Sequence, residues 1–299
     1  MIEIPEGFAR DTVDREGEPG KVWIASLADL AEDLLARWGC TLAGPVMHGQ
    51  VGVVLPVRRS DGTPAVVKIS FPHPGNVHEP AAFAAWGGRG AVRLYERDDA
   101  AFAMLLERAG RRTLADLDDV DAAVTAAGRL ARRLAVPAPP GLPRLSERAG
   151  EWEEELRKDA ELLGRPLPAH VLDAAIATVR DLGRDQPDTL VHGDLHYANV
   201  LQADREPWLA IDAKGYVGDP AYDAITLLRG RFEDLLAADD LRAAVLRRLD
   251  LFADAAEVDR ERARRWTQAR AVTAAHWGRL HGDPEWVVMA TEHLAGLLT

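Results

Sequence analysis

The sequence has 299 residues, 47% hydrophobic and 28% charged, a globular composition with length for one large or two modest domains and an ample core. No run reaches the roughly 18 apolar residues of a membrane-spanning helix, and the single cysteine, Cys40, excludes an internal disulfide or a thiolate metal site. Acidic residues outnumber basic ones 48 to 36; the net charge of −12 argues against nucleic acid as a partner, and it fits either a cationic substrate or simply a solubilising surface.

At the N-terminus, MIEIPEGFARDTVDREGE lacks the basic start and apolar centre of a signal peptide, so a cytoplasmic location is expected. Leu27, Leu30, Ala31, Leu34, Leu35 and Trp38 recur at helical spacing behind Ser26 as N-cap, and Gly39 ends that helix. Residues 51–57 and 65–71 are β-rich runs joined by a turn at Asp61-Gly62. Ahead of them, Gly49-Gln50-Val51-Gly52-Val53-Val54 fits the later half of a phosphate-covering loop, G-x-x-G-x-V, with Met47 where its first glycine would stand. Such a loop should precede a strand bearing a lysine. Lys68 interrupts the apolar run Ala65-Val66-Val67-Lys68-Ile69, and a lysine there needs anionic partners, or else snorkels from an edge strand.

Glu79 is the natural carboxylate for Lys68. Asn76, three residues earlier, would make it a capping-box glutamate as well, whereas Pro80 disfavours helical geometry at Glu79. Residues 91–96 and 101–107 read as a hairpin around Arg97-Asp98-Asp99, with Met104 and Leu105 in the core. Past Gly110 the chain is almost wholly helical, interrupted by a proline-rich surface connection at 136–143. This pattern predicts an α+β protein of two lobes: residues 1–108 around a small antiparallel sheet, and a mainly helical 109–299.

Within the second lobe, residues 190–215 read LVHGDLHYANVLQADREPWLAIDAKG. Short apolar runs alternate with a polar loop and a turn, predicting strand, loop, strand, turn, strand. His192-Gly193-Asp194-Leu195-His196-Tyr197-Ala198-Asn199 fits a kinase catalytic loop, H-R-D-L-x-x-x-N, except for glycine in place of arginine. Asp212 stands where a second, metal-binding aspartate falls. Phosphoryl transfer needs such groups: one carboxylate to deprotonate a hydroxyl, an amide and a second carboxylate to hold Mg²⁺. After Gly215, Asp219-Pro220 reads as a helix start and Asp223 as a first-turn carboxylate, both structural. Trp266, Trp277 and Trp286, on the helices that follow, are expected in the core.

With the H-G-D loop, H-E-P-A-A-F-A-A-W, A-V-R-L-Y-E and G-D-P-A-Y-D in place, nearly the whole chain resembles the aminoglycoside phosphotransferase family. The likeness is strongest to its aminoglycoside 6-phosphotransferase (streptomycin 6-kinase) and hydroxyurea phosphotransferase branch. One departure is Asp212-Ala213-Lys214-Gly215 where the family usually reads D-P-K-G. The resemblance implies a protein-kinase-like fold, ATP and Mg²⁺ as cofactors, and transfer of the γ-phosphate to a hydroxyl of an aminoglycoside, with streptomycin at its 6-position first in line. It implies Asp194 as catalytic base, Asn199 and Asp212 as Mg²⁺ ligands, and Lys68 with Glu79 as the phosphate-holding pair. It further implies Gly49 and Gly52 in the nucleotide loop, and Leu106, Glu107 and Arg108 as the linker whose backbone binds adenine. His192 would support the loop, and Lys214 would reach a phosphate or pair with an acid. For a cationic acceptor the helical lobe offers Asp219, Glu233, Asp234, Asp283 and Glu285, with Trp277 and Trp286 nearby in sequence. Rival readings are a kinase of a sugar, amino sugar or other small alcohol, a nucleotide-binding pseudokinase, and a protein kinase. The last lacks both its H-R-D arginine and an A-P-E segment.

Overall fold

The structure, a computed structural model, describes residues 2–299 and divides into two compact units, one ending at Gly110 and the other Arg111–Thr299. The first unit opens with two helices, α1 (Glu6–Glu16) and α2 (Glu18–Arg37), separated at Gly17, whose φ of 66° breaks the helical path. Ser26 is therefore no cap: it lies inside α2 and its hydroxyl donates to the Trp23 carbonyl. Pro19 falls in the first turn of α2, where its missing N–H is harmless, so the helix begins eight residues before Ser26.

The sheet of this unit contains β1 (Cys40–Leu42), β2 (Met47–His48), β3 (Gly52–Arg59), β4 (Pro64–Ser70), β5 (Leu94–Asp98) and β6 (Ala103–Glu107). Its order is β1-β3-β4-β6-β5, with β2 also on β3, and every pairing is antiparallel. Val53, Leu55 and Val57 of β3 and Ala65, Val67 and Ile69 of β4 alternate onto one face, fully buried with Leu27, Ala31 and Leu34 of α2. Lys68 consequently lies on the opposite face, in register with Val54 and Met104. Because β4 is flanked by β3 and β6, Lys68 is not on an edge strand. Helix α3 (Glu79–Trp86) begins at Glu79 itself, with Pro80 tolerated in its first turn, correcting the expectation that Pro80 opposes helix there. Asn76 does not cap it; the residue before the helix is His78, and the Asn76 amide donates to the Phe71 carbonyl.

The second unit contains α4 (Val120–Leu134), α5 (Ala149–Leu162), α6 (Ala169–Leu182), α7 (Ala224–Arg229), α8 (Phe232–Leu236), α9 (Leu241–Ala256), α10 (Arg260–His281) and α11 (Glu285–Leu297). Helix α10 packs against α5, α6, α7, α9 and α11, and buries Trp266 completely, stacked on Trp152 with ring centres 5.7 Å apart. Trp277 and Trp286 are not core: they are 59% and 55% exposed. Four short strands carry the polar loop: β7 (Leu190–Val191), β8 (Val200–Gln202), β9 (Trp208–Ala210) and β10 (Tyr216–Val217). β8 pairs with β9, but β7 pairs with β10, so the loop bridges two separate ladders rather than one hairpin. Among the described residues no helix is long and apolar enough to cross a membrane.

Candidate active site

The loop from β7 to β8 is held at several points by the segment that opens α7. Asp223, 2% exposed just before α7, accepts the backbone N–H of His192 at 3.1 Å and of Gly193 at 2.8 Å. Thr226 of α7 donates its hydroxyl to the Leu195 carbonyl at 2.7 Å, and the Tyr197 hydroxyl donates back to the Leu227 carbonyl at 2.9 Å. Asp223 therefore does more than favour a helix start; it holds the loop, a role the sequence reading missed because its partners lie 31 and 30 residues away. Burial pushes its carboxyl up to about 6, against the pull of Arg270 and the two N–H donors.

His192 is buried and bonded on both ring nitrogens. Nδ1 accepts the Asp194 N–H at 3.2 Å, so Nε2 carries the proton and donates to the Ile211 carbonyl at 2.9 Å. Burial drops this imidazole to about 4, more than the nearby Asp194 carboxylate raises it, and it is neutral at pH 7. Gly193 explains the missing arginine: its φ is 85°, and a Cβ there would lie 2.7 Å from the Tyr216 ring. No side chain fits.

Asp194 is thus delivered at the loop tip, partly exposed, with His196 Nε2 4.0 Å from its Oδ2. Burial also lowers the His196 imidazole, against the attraction of Asp194 and Asp212. Asn199 is 6% exposed and spends its amide N–H₂ on the Asp194 carbonyl at 3.0 Å, leaving its side-chain oxygen as the remaining acceptor. Its own carbonyl accepts the Ile211 N–H at 2.9 Å, which sets Asp212 beside it. Asp212 adopts φ 59°, a left-handed conformation uncommon outside glycine and concentrated at functional sites. Asn199 and Asp212 together offer hard oxygen donors of the kind Mg²⁺ prefers, the remaining positions being of the sort water and phosphate fill. Among the described residues no group of three or more His, Cys, Asp or Glu could hold a metal without such help.

In the first unit, Lys68 Nζ bonds both oxygens of Glu79, at 2.7 and 2.8 Å, with the carboxylate side chain 2% exposed. Gly49 lies in the turn between β2 and β3, where its N–H donates to the Gly52 carbonyl at 2.9 Å and a Cβ would meet nothing within 4 Å. Gly52 is different: a Cβ would sit 2.6 Å from the Ile69 carbonyl oxygen of β4. Leu106 and Glu107 belong to β6, paired with Val66 and Ala65; Leu106 is buried, and the Glu107 carboxylate accepts the Arg93 N–H. Arg108 follows the strand end.

The acids proposed for a cationic acceptor separate clearly. Asp219 is consumed: its Oδ1 caps the following turn at Ala221, and its Oδ2 takes Arg262 and the Trp266 indole N–H. Asp234 pairs with Arg231 at 2.7 Å. Glu233, Asp283 and Glu285 are exposed.

Residues 37–282 match the family model described as aminoglycoside/hydroxyurea antibiotic resistance kinase. The chain is 40% identical over 296 residues to a streptomycin 6-kinase of Streptomyces glaucescens, covering 97% of this chain and 96% of that protein. It is 38% identical to a hydroxyurea phosphotransferase of Kitasatospora aureofaciens, covering 99% of this chain and 87% of the relative. Among solved structures, the aminoglycoside phosphotransferase APH(4)-Ia superposes with a TM-score of 0.60 at 12% identity, over 91% of this chain and 98% of that one. The fold is the α+β, protein-kinase-like one, with an antiparallel sheet in the first unit and a helical second unit.

Proposed function

We propose that this chain, which belongs to the aminoglycoside/hydroxyurea antibiotic resistance kinase family and is a phosphotransferase, uses ATP to phosphorylate a hydroxyl of an aminoglycoside, in the first place the 6-hydroxyl of streptomycin, and so inactivates it. The observation that carries the reading is the delivery of Asp194 on a loop held by Asp223, Thr226 and His192, with Asn199 and Asp212 alongside. Asp194 is the general base: it orients the acceptor hydroxyl and takes its proton as the oxygen attacks phosphorus. The neutral His192 holds the Asp194 backbone in place without adding a charge beside it. Lys68, oriented by Glu79, holds the nucleotide phosphates, Gly49 and Gly52 keep the covering loop close, and the backbone of Leu106, Glu107 and Arg108 takes the adenine. Asn199 and Asp212 would hold Mg²⁺, which when bound neutralises charge on the phosphates and the leaving group. Hydroxyurea is the second acceptor to consider, because a phosphotransferase for it is 38% identical.

The test is ADP release by the purified protein with Mg²⁺ and ATP across streptomycin, other aminoglycosides, hydroxyurea and simple amino sugars. Streptomycin-dependent release supports the reading. Release with an amino sugar alone keeps the chemistry and rejects the antibiotic. ATP binding with no acceptor-dependent release rejects the reading.

A further inference from the structure

We propose that the first unit holds a second ligand site, for a small uncharged molecule with a hydroxyl or N–H head and an apolar body, and that its occupant acts on Lys68 through Glu79. The link to Lys68 rests on the nucleotide role proposed above; the site itself does not.

The site is a cavity of about 140 Å³ between the end of β4, the start of α3 and the β5–β6 turn. Its inner wall is buried and comes from Ser70 of β4, Met104 of β6 and Glu79 of α3. Its rim is open, with Val77 50% exposed and Asp99 also exposed. Ser70 stands two residues after Lys68 in β4, on the same face of the sheet, and is in register with Gly52. A Cβ on Gly52 would lie 3.1 Å from Ser70 Oγ, so the bare glycine leaves that side of the hydroxyl uncovered. Ser70 is 2% exposed, and its hydroxyl has no hydrogen-bond partner among the described residues. Buried hydroxyls are nearly always bonded, and one that lines a cavity is placed to bond an occupant. Phe102, in the β5–β6 turn, adopts φ 50° and accepts the Ser70 N–H on its carbonyl at 3.0 Å. The left-handed conformation of that residue is of the kind concentrated at functional sites.

Volume and wall chemistry define the ligand. A cavity of roughly 150 Å³ takes benzene, whereas drug-sized ligands need about 300 Å³ or more, so a nucleotide or an aminoglycoside is too large. Among the described residues no basic side chain lines the cavity, which disfavours an anion. Both carboxylates of the wall already have cations: Glu79 is bonded twice to Lys68, and Asp99 pairs with Arg97 at 3.1 Å. The charge is balanced, so a positive charge on the ligand gains little. The wall is rich in acceptors instead: the Glu79 oxygens, Ser70 Oγ, and the side-chain oxygen of Asn76, whose N–H₂ donates to the Phe71 carbonyl. Such a wall calls for a donor, while Pro80, Phe102 and Met104 offer apolar surface to the rest of the molecule. Because the cavity is present with the Lys68–Glu79 bonds intact, an occupant favours that paired arrangement.

Phenol at pH 7 is the probe, followed by backbone amide NMR shifts in wild type, Ser70→Ala and Val77→Trp. We expect saturable shifts at Ser70, Val77, Asp99 and Phe102 with a Kd of about 1 mM or tighter. Ser70→Ala should weaken binding about fivefold or more at an unchanged melting temperature, since its hydroxyl has no partner to lose. Val77→Trp, which closes the rim, should abolish it. Toluene, without the donor, and benzoate, with a negative charge, should bind at least about fivefold more weakly than phenol. Saturating phenol should lower the Kd for Mg²⁺–ATP about twofold or more in wild type and leave it unaltered in Val77→Trp. No saturable shift in wild type, or shifts that neither variant alters, overturns the site, and the cavity then holds water only. Equal binding of toluene or benzoate overturns the ligand class. Binding in the cavity with an unaltered ATP Kd overturns the link to Lys68. Failure of wild type to bind ATP at all overturns the nucleotide role instead, and the phenol titration still decides the site.

Discussion

The Asp223 carboxylate accepts the backbone N–H groups of His192 and Gly193, one on each oxygen, from 31 and 30 residues farther along the chain. The arrangement ties the helical part of the second unit to the residue pair that precedes Asp194. Asp223→Ala strands two buried donors, and hydrogen bonds to a charged group contribute about 1.5–3 kcal/mol each. A loss of about 3 kcal/mol in urea unfolding and a drop in kcat of tenfold or more are expected. Asp223→Asn should be milder in stability, since its carbonyl oxygen still accepts one N–H. Unchanged stability in Asp223→Ala would reject the anchoring role.

Lys68 and Glu79 test burial against chemistry. With the Glu79 side chain 2% exposed and bonded twice to Lys68, Lys68→Met leaves a buried carboxylate without that cation, a change of about 3–5 kcal/mol. The double variant Lys68→Met/Glu79→Leu should recover most of that stability and none of the turnover. Recovery of turnover as well would separate Lys68 from phosphate binding.

The pH dependence has two opposing parts. His192 titrates near 4 when folded against 6.5 ordinarily, so the unfolded chain takes up a proton first and stability falls as pH drops from 6.5 to 4. Asp223 titrates near 6 against 3.8, so the unfolded chain loses its proton first and stability falls as pH rises from 3.8 to 6. Each shift corresponds to about 3 kcal/mol. The stability advantage of wild type over His192→Gln should therefore shrink by about that amount between pH 6.5 and 4, measured by urea unfolding at each pH. An advantage that stays constant would mean His192 is not held neutral.

Gly49, in the β2–β3 turn, and Gly52, the first residue of β3, should behave differently. Gly49→Ala meets nothing within 4 Å and should leave the melting temperature nearly unchanged. Gly52→Ala drives a methyl to 2.6 Å from the Ile69 carbonyl and should lose about 1–3 kcal/mol, seen as a lower Tm. Equal effects would show that the β3–β4 ladder yields at this point.

What was legible in the sequence was local. Alternation in β3 and β4 and the helical period of α2 depend on near neighbours, and so does the spacing from His192 to Asn199. What was not legible depends on distant partners. Asp223 looks like any first-turn carboxylate until His192 and Gly193 are folded against it. β7 pairs with β10 beyond the turn instead of with β8, because the loop between β7 and β8 is held by α7. Trp277 and Trp286 carry no local sign of exposure; only the packing of α10 and α11 decides which face of each helix is open. Ser26 and Asn76 stand where caps would be expected locally, but the helices start at Glu18 and Glu79, with prolines in their first turns.

Asp194 as the base for phosphoryl transfer to a small-molecule hydroxyl is tested by streptomycin-dependent ADP release from wild type and Asp194→Asn at saturating Mg²⁺ and ATP. The variant keeps the size of the side chain and the loop contacts of His192 and Asn199 while removing the proton acceptor. If Asp194 is the base, kcat falls about 10²–10⁴-fold with the ATP KM and melting temperature close to wild type. Turnover by Asp194→Asn within a few-fold of wild type would contradict it.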